Sequence, residues 1–95
     1  MSTRIASMAV LRLGRIVSTP NALASLSNQD ILMGIQRHQA GDWGDLTQDD
    51  RTANNRALIS GTRIISAYKA LKGIRFWIIT EADRSVTTVL LPEDY

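Results

Sequence analysis

The sequence predicts an α+β domain in which N-terminal helices pack on a C-terminal antiparallel sheet of three to four strands. The expectation rests on three observations. Helix start and stop signals fill the chain as far as Gly61, whereas the remainder is rich in β-branched and aromatic residues that suit a pleated surface. The connections between those later runs are short, as antiparallel neighbours allow. With 95 residues there is room for one core, so residues 1–95 are expected to form a single domain, with 1–10 as a loose N-terminal end.

The elements follow in order. In "VLRLGRIVST", Gly14 marks a bend and "RIV" supplies the optional fourth strand. Thr19 caps a short helix that begins at Pro20, where a missing N–H costs nothing. Ser27 and Asp30 form a capping pattern that opens a second helix, with Ile31, Leu32 and Ile35 on one face and Gly41 as its stop. Thr47 and Asp50 repeat the pattern for a third helix, "QDDRTANNRALIS", which ends at Gly61. Its first turn carries Asp49 and Asp50 at the positive end of the helix dipole. The segment "DWGD" then joins two helices, and Trp43 is expected to plug the seam between them. An alternative makes Trp43, Asp42 and Asp45 an exposed feature that touches a partner.

The strands "TRIISAYK", "IRFWIITE" and "SVTTVLLP" should form a meander. A half-buried strand alternates apolar and polar residues, and these do not. Ile74, Phe76 and Ile78 point one way, while Trp77 and Ile79 point the other with Arg75. A sheet apolar on both faces is more than three modest helices can cover. The face of Trp77 is therefore expected to be an interface, for a homodimer or another partner, unless the N-terminal segment folds over it.

Composition narrows the function classes. An apolar fraction of 44% and a charged fraction of 21% are ordinary for a globular protein, and no stretch suits a membrane span or a secretory signal. A cytoplasmic location away from the membrane is the expectation. There is no cysteine and one histidine, and the glycines are scattered, so no metal site, cofactor or phosphate loop is expected. The net charge of +2 is unevenly placed: Asp42, Asp45, Asp49 and Asp50 precede a run of six bases from Arg51 to Arg75. That run leaves a basic nucleic-acid-binding module as one alternative.

The enzyme reading with the best chemistry is a small metal-independent ribonuclease. Such a site needs an acid and a base astride the 2′-hydroxyl and a cation for the phosphate. His38, Glu81 and Arg84 supply those types. The turn "TEADRSVTT" should be a well-specified hairpin, with Asp83 in an Asx turn and Arg84 at the tip.

The pieces "GRIVSTPNAL", "RHQAGDWGDL", "NNRAL", "GTRIISAY" and above all "WIITEADRSVTTVLLPEDY" resemble a widespread, uncharacterised family of small bacterial plasmid- and phage-related proteins. Its members are often labelled "type I restriction endonuclease subunit M". That label does not suit a chain without a glycine-rich cofactor loop or an Asn-Pro-Pro-Tyr-like segment. What the resemblance implies is a mobile-element setting, where small proteins counter host defences, act as toxins or assist plasmid maintenance. The expectation is a non-enzymatic accessory protein that binds a host protein or ribonucleoprotein complex, such as a restriction or CRISPR system. Trp77 and Ile79 would anchor it, Arg63, Arg75 and Arg84 would form a rim, and Trp43, Asp42 and Asp45 would add contacts.

Overall fold

The computed structural model describes residues 9–95; most of the expected loose end lies outside them. The chain runs through strand β1 (Arg15–Ser18), helices α1 (Pro20–Ser25), α2 (Asn28–Gln39) and α3 (Gln48–Ser60), then strands β2 (Ile64–Lys69), β3 (Arg75–Thr80) and β4 (Val86–Leu90). A single 3-10 turn, Pro92–Asp94, ends it. The α+β class is as the sequence predicts.

All three helices start at the hydroxyl caps expected of them. The side chains of Thr19, Ser27 and Thr47 accept the backbone N–H of Ala22, Asp30 and Asp50, each satisfying an otherwise orphaned donor. Helix α3 stops where Gly61 adopts the left-handed conformation.

The strand order is β1-β4-β3-β2. The last three strands form the antiparallel meander, but β1 lies parallel to β4, with Arg15 beside Val86 and Ser18 beside Val89. The sheet is thus mixed, which corrects the expectation of a wholly antiparallel one. Hairpins fix the direction of β2, β3 and β4. Strand β1 reaches its neighbour through the whole intervening chain, so no tight turn dictates its sense.

Register separates the two faces. Ile64, Ser66 and Tyr68 stand opposite Thr80, Ile78 and Phe76, and Ile78 and Thr80 continue to Val89 and Thr87. This face meets the helices. Phe76, Ile78 and Val89 pack with Ala22 and Leu26, and Ile31 and Ile35 close over them. Full burial of such a side chain is worth roughly 1.5–3 kcal/mol, so this layer dominates the fold. Helix α2 sits so low on it that a Cβ added at Gly34 would lie 2.7 Å from the Phe76 ring. A second cluster unites Leu11, Leu13, Trp43, Ala57 and Ile64. The described part of the N-terminal segment therefore fills the helix side and leaves the Trp77 face alone.

Candidate functional site

The loop "GDWGDL" finishes the outer border of β2. Ala67 donates its N–H to the Trp43 carbonyl (3.1 Å) and accepts from Asp45 N (2.8 Å). At Ile65 the side chain of Asn54 acts as a substitute strand, donating to the carbonyl (2.8 Å) and accepting from the N–H (3.4 Å). Gly44 makes the loop fit: its φ is +77°, and any Cβ would lie 2.0 Å from the Ala67 oxygen. Trp43 is the expected plug. Its indole is 4% exposed, meets His38 edge-on and donates to Asn55 Oδ1 (3.0 Å). The alternative that put Trp43 on the surface is thereby corrected. Asp42 is exposed but occupied, its carboxylate held by Arg37 (2.7 Å) and below its usual pKa because of that contact. Arg37 also covers the Tyr68 ring, whose hydroxyl donates to the Asp42 carbonyl.

His38 is fully buried in a chain of side-chain hydrogen bonds. Its Nδ1 lies 2.5 Å from Ser66 Oγ and its Nε2 lies 2.8 Å from Thr80 Oγ1; Thr80 continues to Thr87 (2.7 Å). Thr87 donates to the Leu13 carbonyl (2.7 Å). A carbonyl can only accept, so the polarity of the chain follows from Leu13 as far as His38 Nε2. Thr87 must accept from Thr80 and Thr80 from His38 Nε2–H, and in the neutral ring Nδ1 then accepts from the Ser66 hydroxyl. The histidine is neutral, with its proton on Nε2. Burial, aided by the charge of Arg84, pushes its pKa down to about 4.

Arg84 does not project from its hairpin. With φ at 63° it turns back, and its guanidinium donates to the carbonyls of Ala57 (2.8 Å), Thr62 (2.7 Å) and Glu81 (3.2 Å). It thereby satisfies carbonyls at and just beyond the end of α3. The Asx turn at Asp83 is present, with Ser85 N and Oγ both donating to its carboxylate. His38, Glu81 and Arg84 are accordingly not assembled around a cleft. The histidine is sealed in the core, both its nitrogens are engaged, and the arginine is committed to backbone oxygens. The residue types suit a ribonuclease; their placement serves packing.

The opposite face of the sheet carries Ile65, Ala67, Arg75, Trp77 and Ile79. Ile79 is only 4% exposed, which corrects its expected role as a contact residue. Trp77 is half-buried and lies in a groove of about 560 Å³. Asp45 from the loop, Asp50 from the first turn of α3, Arg63 and the C-terminal Tyr95 are among the residues that line it. Tyr95, 69% exposed, meets Trp77 edge-on with ring centres 5.6 Å apart. Arg63 lies over the Tyr95 ring and donates to its hydroxyl. Arg75 joins the lining beside Trp77. Of the partner-binding residues expected from sequence, the groove gathers Trp77, Arg63, Arg75 and Asp45. It excludes Trp43, Asp42, Ile79 and Arg84.

Sequence reasoning missed Asp50 and Tyr95 as members of this site. Asp50 reads as a capping residue, which it also is, and a terminal tyrosine carries no pattern that would place it. No helix among the described residues is long and apolar enough to cross a membrane. No family model, curated protein or solved structure matches this chain.

Proposed function

We propose that this chain is a non-enzymatic binding protein that attaches to a host macromolecular complex through the groove at Trp77. The observation that carries the proposal is a half-buried tryptophan beside an exposed tyrosine on the sheet face that α1 and α2 leave open. Tryptophan, tyrosine and arginine are the side chains that dominate protein interfaces, because they offer large contact area with a polar end. Trp77, Tyr95, Arg63 and Arg75 fit that description. The resemblance of "WIITEADRSVTTVLLPEDY" to plasmid- and phage-related proteins makes a restriction or CRISPR complex the favoured partner. In that setting the protein would act as an inhibitor of the defence system.

Purification from cells that carry such a system, with wild type beside Trp77→Ala, tests the proposal. Wild type should retain a subunit of the defence complex, and the variant should lose it while melting cooperatively. Recovery of the same subunit by both proteins would refute the proposed anchor. Failure of both to retain any would refute the partner class.

A further inference from the structure

We infer that β1 pairs antiparallel with β1 of a second copy of this chain about a two-fold axis at Val17, with Arg15 of each copy meeting Asp94 of the other. The seam is a margin of the sheet, separate from the groove at Trp77, and does not rest on the docking proposal. In the parallel pairing with β4, Arg15 N donates to the Ser85 carbonyl (2.9 Å) and Thr19 N to the Val89 carbonyl (3.0 Å). Backbone groups alternate sides along a strand. Those of Arg15, Val17 and Thr19 therefore face β4, and those of Ile16 and Ser18 face outward. No group among the described residues hydrogen-bonds them from that side. Such an unpaired row of donors and acceptors is a template for another strand. At the opposite margin the template is already filled by Asn54 and the Trp43–Asp45 loop.

The ends of β1 select the register. Gly14, with φ at 63°, breaks the extended run before Arg15, and Pro20, which has no N–H, starts α1 after Thr19. A symmetric antiparallel neighbour uses both outward residues of the strand when Ile16 stands opposite its Ser18, and each such pair exchanges both backbone bonds. Val17 then faces the partner's Val17. Ile16, 46% exposed, comes diagonally beside the partner's Ile16, near enough for branched side chains to touch. Arg15 stands opposite the partner's Thr19, and the Thr19 hydroxyl donates to Asp94 (2.6 Å). The other donors to that carboxylate are Asn21 Nδ2 and Leu91 N, both uncharged. Arg15 is exposed and joins no salt bridge among the described residues. A lone charge on an edge strand ordinarily keeps other strands away. Here the two-fold gives each arginine a carboxylate, whereas a foreign strand would gain the backbone bonds without that pair. Charge complementarity thus favours a second copy.

Sedimentation equilibrium of the full chain, with amide hydrogen exchange read by NMR, tests this. So short a seam belongs with the small, weak interfaces, and a monomer–dimer equilibrium should appear between micromolar and millimolar protein. The Ile16 and Ser18 amides should gain protection as concentration rises. Arg15→Glu and Asp94→Lys should each weaken association about tenfold or more through like charges across the seam. Mixed together, the two variants should form a heterodimer, because each end of the seam then holds one acid and one base. Ile16→Pro removes an outward N–H without touching the ladder to β4 and should be a folded monomer. Wild type that stays monomeric at millimolar concentration would overturn the inference and leave this margin to a foreign strand. A dimer that Trp77→Ala abolishes and Ile16→Pro leaves intact would overturn it too. If Asp94→Lys does not melt cooperatively, Arg15→Glu decides alone, and undiminished association of that variant would refute the charge pairing.

Discussion

Acid should weaken this fold in a window that belongs to His38. The unfolded histidine takes a proton near pH 6.5, whereas the buried one resists until about pH 4. Between those values the unfolded state binds a proton that the folded state does not. Stability is therefore complete above pH 6.5 and falls as the pH drops toward 4. A displacement of that size corresponds to about 3 kcal/mol, at about 1.4 kcal/mol per pH unit. This is a large share of the roughly 5–15 kcal/mol that holds a domain of ordinary stability. Carboxylates do not obscure it. Asp30, Asp42, Asp83 and Asp94 have pKa values below the usual 3.8, through hydrogen bonds from Ser27, Arg37, Ser85 and Thr19 respectively, so their contributions are lost at lower pH. Urea unfolding from about pH 7.5 to about pH 4.5 should give a wild-type slope approaching one proton. His38→Gln, though less stable throughout, should be nearly flat over the same interval. Equal slopes in the two proteins would refute the reasoning. So would nitrogen NMR shifts showing a proton on Nδ1 in the folded protein at neutral pH.

Two further outcomes follow from backbone geometry. Gly44→Ala should cost a few kcal/mol, about 2–4, because it combines a left-handed φ with a clash against the Ala67 carbonyl; differential scanning calorimetry reads the loss. At Arg84, replacement by Ala removes three hydrogen bonds to carbonyls and should cost about 1–3 kcal/mol. Replacement by Gly removes the same bonds but relieves the positive φ, so it should be the more stable variant by about 1 kcal/mol. Chemical denaturation that ranks Ala above Gly would refute this account of the hairpin.

The parts legible in the sequence are those decided locally. Thr19, Ser27, Thr47 and Gly61 mark helix ends because capping is a matter of a few neighbouring atoms. The strands follow from β-branched runs between short turns. The broken alternation in "IRFWIIT" places Trp77 away from Phe76 and Ile78, as the register has it. What was not legible depends on residues far apart in the chain. His38 and Thr80 are 42 positions apart and Thr87 and Leu13 are 74 apart, so a core hydrogen-bond relay looks like scattered polar residues. Ser66, Thr80 and Thr87 are polar on the face that packs against the helices, where alternation alone would ask for apolar side chains. The parallel sense of β1 and the arrival of Tyr95 beside Trp77 are likewise decided by tertiary packing, not by local pattern.

The stopper that Asn54 and the Trp43–Asp45 loop place on β2 has a consequence for assembly. The sheet has two margins, β1 and β2, and a ladder that grows by adding copies needs both to be open. With Ile65 and Ala67 already satisfied on one margin, copies could join only through β1. Two copies so joined would present a stopper at each outer side, and growth would end there. One amide and one short loop thus stop the native sheet from being extended strand by strand past β2.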